Sequence, residues 1–267
     1  MVRSIWTGSI SFGLVNVPIR VVTAVRSKNV RFHQLHAKDK VRIQQKRICP
    51  KEEKEVPYEE IVKGYEIAPD EYVVVDPKEL EALEPDASRA IDIEDFVDLN
   101  DIDPVYFDHT YYLVPDKRAG KTYDLLLDAM GRTAKVGLGR VVMRNKEYLV
   151  AIRARDGILI METMYFHDEV ETPDEVLAQV DHAPVKVQKK ERDMATQLIE
   201  ALSGPFEPER YGDTYRERVL AMIEKKAEGE TVVMEATPRP KTREHDLVSA
   251  LQESLKHAKK REVAAEA

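Results

Sequence analysis

Val136-Gly137-Leu138-Gly139-Arg140-Val141-Val142-Met143, Tyr148-Leu149-Val150-Ala151-Ile152-Arg153 and Ile158-Leu159-Ile160-Met161-Glu162-Thr163-Met164-Tyr165-Phe166 are three apolar runs in close succession. Each is rich in Val, Ile, Leu or Tyr, side chains that fit a pleated surface. Each is also too short for a core helix of ordinary length. Arg144-Asn145-Lys146-Glu147 and Arg155-Asp156-Gly157 separate them. Asp-Gly between two strands specifies a tight hairpin, because glycine accepts positive φ without a steric penalty. The stretch predicts an antiparallel meander. With helical patterns elsewhere, it sets the fold class as mainly β with helices, α+β.

Towards the N-terminus, Ser9–Val25 reads as two short strands around a bend, with Pro18 needing an edge or bulge position. Val30–His36 and Val41–Ile48 alternate apolar and polar, which predicts half-buried strands. The second would expose Arg42 and Lys46. Pro50–Pro57 reads as a charged turn, Tyr58–Tyr65 as a short helix and Tyr72–Val75 as a strand. Asp76-Pro77-Lys78-Glu79 has the pattern of a capped helix start, with the helix ending before Pro85. Ile91, Ile93, Asp95 and Val97 mark another alternating stretch, Tyr111–Val114 a strand, and Lys121–Met130 a helix stopped by Gly131. Beyond Val170 the pattern changes. Pro173 and Pro184 bracket the exit from the β region. Met194, Leu198, Ile199 and Leu202 recur at helical spacing, as do Tyr215, Val219, Met222 and Ile223. Thr237–Lys241 reads as a linker, and Leu247, Leu251 and Leu255 as a last helix ending in Lys259-Lys260-Arg261.

The chain has 267 residues, 34% of them charged, and a net charge of −8. It is long enough to bury a full core. One cysteine excludes an intramolecular disulfide and any site needing two cysteines, and it suits a reducing cytosol. Apolar runs such as Tyr148–Ile152 and Val219–Ile223 fall far short of the ~20 residues that span a bilayer, and the N-terminus lacks a leader pattern.

The charge is uneven. Residues 20–47 hold nine bases and one acid, whereas residues 48–108 hold five bases and 20 acids. Two readings stay open on charge alone. The basic segment serves a polyanion while the acids oppose unspecific sticking, or the two segments neutralise each other.

Catalytic motifs are weak. Gly120-Lys121-Thr122 lies between a strand and a helix, as a phosphate-cradling loop does, but Pro115 stands where the first glycine belongs. His33 and His36 are three apart in an expected strand, which places the rings on opposite faces, so no metal site is expected. A nucleic-acid-processing enzyme built on either feature is the alternative reading. A single-strand binder would interleave aromatics with its bases, and the basic segment holds only Phe32.

Several blocks resemble the bacterial Ku family, the DNA-end-binding proteins of non-homologous end joining. They are Ser4–Pro18, Phe32-His33-Gln34-Leu35-His36, Val56–Glu66, Asp103–Asp108 with Tyr111-Tyr112-Leu113, and Ala195–Glu200 with Tyr211–Arg216. The resemblance covers about residues 1–230 in order. It implies a β-barrel core over 1–184 with a long bridge insertion at about 26–72. It further implies a small helical C-terminal region at 185–230, followed by a linker and short tail at 231–267. A homodimer would close a ring around duplex DNA, so that end selection comes from threading and not from base readout.

The resemblance implies no catalysis and no cofactor. Implied partners are double-stranded DNA ends, a second copy and the dedicated ATP-dependent end-joining ligase, in the bacterial cytoplasm at the nucleoid and away from membranes. The bases expected on DNA are Arg20, Arg26, Lys28, Arg31, Lys38, Lys40, Arg42, Lys46 and Arg47, with Lys121 and Arg140 as weaker candidates. Met194, Leu198, Tyr215, Val219 and Met222 are the candidate ligase contacts, or else packing of the helical region itself. Many relatives carry a CxxC pair after the second β block; here Cys49 is followed by Pro50-Lys51-Glu52, which argues against zinc.

Overall fold

The computed structural model describes residues 3–82, 89–117, 119–143, 146–180, 185–229 and 247–265. In chain order the strands and helices are β1 (Ser4–Phe12), β2 (Val15–Thr23), β3 (Ile48–Cys49), β4 (Lys54–Glu55), β5 (Lys63–Ala68), β6 (Glu71–Val75), α1 (Pro77–Ala82), β7 (Ala90–Asp98), β8 (Phe107–Pro115), α2 (Gly120–Thr133), β9 (Lys135–Met143), β10 (Lys146–Arg155), β11 (Ile158–Met164), α3 (Pro173–Ala178), α4 (Lys189–Leu202), α5 (Thr214–Ala227) and α6 (Leu247–Ala265). Contacts divide the chain into two units. One is Met1–Lys28 with His33–Val176; the other is Asn29–Phe32 with Leu177–Ala267.

The first unit is a closed barrel in the order β1-β2-β8-β11-β10-β9-β7. The meander predicted at 136–166 forms β9, β10 and β11, antiparallel throughout. Asp156 and Gly157 take φ of 51° and 79° in the turn between β10 and β11, as an Asp-Gly hairpin demands. The barrel closes through a short parallel pairing of β1 with β7, over Ser9–Ala90, Ile10–Ile91 and Ser11–Asp92. Trp6 strengthens that seam by donating its indole Nε1–H to the Val142 carbonyl at 3.1 Å. Pro18 sits inside β2 without breaking a ladder. Its carbonyl accepts from Asp116 just beyond the end of β8, so its missing N–H falls where β8 has stopped.

Helix α2 lies against the barrel and buries Tyr123, Leu126 and Met130 among the inward residues of the strands, including Ile19, Leu113, Val150 and Ile152. It begins at Gly120 and runs through Gly131, which does not stop it. Ala134, in the left-handed conformation at φ 53°, ends it instead. Asp76 accepts from the Lys78 N–H at 2.8 Å, and Glu79 accepts from the Asp76 N–H at 2.9 Å, so the capping box forms as expected.

Tyr123 ties α2 to the wall. Its hydroxyl donates to the Leu113 carbonyl at 2.7 Å and accepts from the Leu159 N–H at 2.9 Å, bridging β8 and β11. Burial pushes this phenol above its ordinary pKa, so it remains a donor at neutral pH. Tyr123→Phe leaves a buried carbonyl and a buried amide without that partner. We expect a loss of about 1–3 kcal/mol in urea unfolding, with DNA affinity unchanged.

Two expected elements differ. Val30–His36 and Val41–Ile48 form no strands beyond a single bridge, Leu35–Arg42, and the entry of Ile48 into the two-residue β3. They have no sheet to join, and Val41 and Ile43 stay 61% and 46% exposed. Tyr58–Tyr65 is a 3-10 turn over Tyr58–Glu60 followed by the start of β5. Tyr58, Ile61, Val62 and Tyr65 do recur at helical spacing, but the segment has no core to receive that face, and from Lys63 it pairs with β6 instead.

In the second unit, α4 opens on a Gln188–Glu191 capping box and α5 on Asp213, whose side chain accepts from the Arg216 N–H at 2.9 Å. Helix α4 packs against α6. Pro184, the Arg144–Asn145 part of the first hairpin, the end of α1 before Pro85 and the Thr237–Lys241 linker lie outside the described residues. So do the side chains of Lys259, Lys260 and Arg261.

Candidate nucleic-acid interface

Between β2 and α1 the chain leaves the barrel as an arm. From Thr23 to Leu80 no residue is buried. The arm carries three small pieces of local order. The first is a loop in which the His36 N–H bonds the Val41 carbonyl at 2.8 Å and the Ile43 N–H bonds the Gln34 carbonyl at 2.9 Å. The second is the β3–β4 hairpin, and the third is β5–β6, whose strands pair only with each other.

The loop explains why the basic segment keeps its charge. Its one acid, Asp39, faces its own turn: it accepts from the Val41 N–H at 3.1 Å and contacts His36 Nδ1 at 2.9 Å. The His36 contact, then the Val41 amide, hold the Asp39 carboxyl below its usual range. Asp39 therefore neutralises none of the surrounding Lys and Arg side chains.

The eleven candidate bases sort into three kinds. Arg20, Arg26, Lys28, Arg31, Lys38, Arg42 and Lys121 are exposed and form no ion pair among the described residues. Lys40 donates to the Ala37 carbonyl at 2.6 Å, and Arg47 lies over the Tyr58 ring at 5.2 Å, so both keep their charge. Lys46 pairs with Glu55 at 2.6 Å, which raises its ammonium above the ordinary lysine range. Arg140 bridges Glu94 at 3.1 Å and Glu147 at 3.3 Å. Mutual neutralisation with the acidic segment thus accounts for Lys46 and for one contact of Arg140. Arg20 projects from β2 opposite Thr7 and Val114, and Arg31 belongs to the second unit.

The arm also shows large apolar side chains, which the charge pattern concealed. On β5–β6, Tyr65 stands opposite Val73, with 70% and 49% exposure. On the other face Tyr72 packs over Gly64, beside Val74 at 61%. A two-stranded ribbon with both faces apolar and uncovered is not stable alone in water. The signal was present in the alternation of Tyr65 and Ile67 with Gly64 and Glu66, masked by the helical spacing of Tyr58, Ile61, Val62 and Tyr65.

The enzyme alternative finds little geometry. Thr122 turns its hydroxyl back to the Ala119 carbonyl at 3.0 Å. Among the described residues no three His, Cys, Asp or Glu side chains converge as a metal site requires. Cys49 is a half-buried free thiol on β3. No described helix is long and apolar enough to cross a membrane.

In the second unit Met194, Leu198, Val219 and Met222 are half-buried, and Tyr215 is 77% exposed. Phe206 and Tyr211, absent from the sequence-based candidates, stack at 5.7 Å and are 78% and 72% exposed.

A family model described as the Ku70/Ku80 beta-barrel domain matches residues 11–194. "Non-homologous end joining protein Ku" of Anaeromyxobacter sp. (strain K) is 48% identical over 262 residues, 98% of this chain and 88% of the relative. "Non-homologous end joining protein Ku 1" of Saccharopolyspora erythraea is 43% identical over 97% of this chain and 80% of its own length. "Non-homologous end joining protein Ku" of Heliobacterium modesticaldum is 43% identical over 97% and 93%. A closed barrel, an exposed basic arm between β2 and α1, and likeness over nearly the whole length agree: the chain belongs to the Ku family.

Proposed function

We propose that this protein binds double-stranded DNA ends in non-homologous end joining, as a homodimeric ring that threads onto the duplex and performs no catalysis itself. The observation that carries this reading is the arm. A segment of more than fifty residues without one buried side chain bears both unpaired bases and a two-faced apolar ribbon. A second copy covers the apolar faces, and the bases then line the opening. Phosphate contacts hold any sequence equally, so selection for ends follows from closure of the ring.

In this reading residues 1–184 are the ring-forming core, with the bridge at about 26–72. Residues 185–230 recruit the ATP-dependent ligase, and 231–267 are linker and tail. Exposed Tyr215 supports a docking role more directly than half-buried Met194, Leu198, Val219 and Met222. The bacterial nucleoid is where such a ring works.

The test is a mobility-shift titration with one duplex, linear and as a covalently closed circle, at fixed salt. Strong binding to the linear form alone is expected. Equal binding to both would mean a side-loading surface and would remove the ring.

A further inference from the structure

A groove of about 530 Å³ opens on the outer face of the barrel at the root of the arm. Tyr112 on β8 and Ile160 on β11 form its floor, with Arg153 and Arg155 of β10 on one side and Ala24 and Val25 after β2 on the other. Tyr112 and Arg153 both stand opposite Ile160 in register. Their backbones are therefore two strand spacings apart, about 10 Å.

Arg153 grips Glu162 through Nε and Nη2, the shortest contact being 2.6 Å. Among the described residues its Nη1 has no partner. Arg155 touches Asp156 through Nε at 3.3 Å, with the two side chains 65% and 88% exposed. Such a surface contact is weak and readily exchanged, and both Nη groups of Arg155 remain available for an anion. Tyr112 is 38% exposed, so part of its ring is open to a ligand. The wall at Val25 leads straight into Arg26 and Lys28, the first bases of the arm.

We propose that this groove holds one unpaired nucleotide at a DNA end, with its base against Tyr112 and Ile160 and its phosphate at Arg155 and Nη1 of Arg153. The inference rests on the DNA-end reading and adds a preference for ends that carry a single-stranded overhang. The basic segment has only Phe32 to stack on. The groove supplies an aromatic face next to guanidinium groups, the combination that binds single strands without regard to sequence. Arg is suited to the phosphate because its remaining N–H groups form a planar fork. A smaller hollow adjoins through Val25 and Thr110 and carries Asp108, with His109 Nδ1 2.6 Å from its carboxylate.

The experiment compares the full chain with Tyr112→Ala, Tyr112→Phe and Arg155→Glu by fluorescence anisotropy, on one duplex with blunt ends and with a short overhang. Stacking of one base is worth about tenfold in affinity. The wild-type chain is expected to bind the overhang about tenfold more tightly than the blunt end. Tyr112→Ala and Arg155→Glu should remove that advantage and keep blunt-end affinity within about twofold, while Tyr112→Phe retains it. Arg155 is mostly exposed, so its exchange tests the site even where Tyr112→Ala weakens the barrel.

An equal overhang advantage in all four proteins overturns the proposal. So does an equal loss on both DNAs, which would place the groove on the duplex track, and so does loss of a protein partner with overhang binding intact, which would make it a peptide groove. A wild-type chain that binds neither DNA overturns the DNA-end reading itself. One that binds both equally overturns the groove alone.

Discussion

Replacing Lys38, Lys40 and Arg42 with Glu is expected to weaken binding to a linear duplex at least about a thousandfold at ~0.1 M salt. Each phosphate contact contributes about −0.9 to the slope of log affinity against log salt, so three lost contacts flatten it by about 2.7 per chain, and by twice that in a two-fold ring. The three side chains are exposed and belong to a segment with no buried residue, so the barrel has no reason to unfold. Asp39 cannot compensate for them, because its carboxylate serves its own turn. Lys46→Ala is the internal control: its ammonium already pairs with Glu55 at 2.6 Å, so we expect less than about a threefold effect. Affinity and salt slope are read from the same titration series, with circular dichroism confirming the fold. An unchanged slope in the triple variant would move the DNA away from this part of the arm.

That contrast between paired and unpaired bases was not legible in the sequence. The charge run at 20–47 was plain, but all nine bases looked alike. Pairing depends on where the β3–β4 hairpin brings Glu55 back beside Lys46, a contact across a turn with no periodic signature. The meander was legible for the opposite reason. Strands β9 to β11 follow one another with short links, and their inward residues recur in the local pattern. Local order of this kind is written in the sequence.

The arm was misread because alternation signals a strand only where a sheet exists to receive it. Val41 to Ile48 alternates as a half-buried strand does, yet it has neither a continuous neighbour nor a covered face within one chain. Tyr123 shows a third kind of illegibility. The apolar face of α2 was visible, but nothing in sequence says that one hydroxyl will bridge Leu113 and Leu159. The groove is similar: Tyr112 and Arg153 border one hollow only because β11 lies between their strands.

Exchanging Tyr65 and Val73 for Asp is expected to leave a 30.6 kDa monomer in sedimentation and to lower DNA-end affinity more than a hundredfold. These side chains face each other on one side of the β5–β6 ribbon, and Tyr72 and Val74 cover the other side. Burial of a large apolar side chain contributes about 1.5–3 kcal/mol. A symmetric interface loses two such side chains from each copy, about 6–12 kcal/mol in all before the cost of burying four carboxylates. At 1.4 kcal/mol per tenfold, that exceeds the stability of a nanomolar dimer once the added charges are counted. The barrel should keep its melting temperature, because β5 and β6 pair only with each other and bury nothing in its core. Loss of DNA binding then follows from the opening of the ring, since Lys38, Lys40 and Arg42 are all still present. A variant that stays dimeric and still binds only linear DNA would show that another surface joins the two copies. In that case the ribbon would be free to meet a different partner.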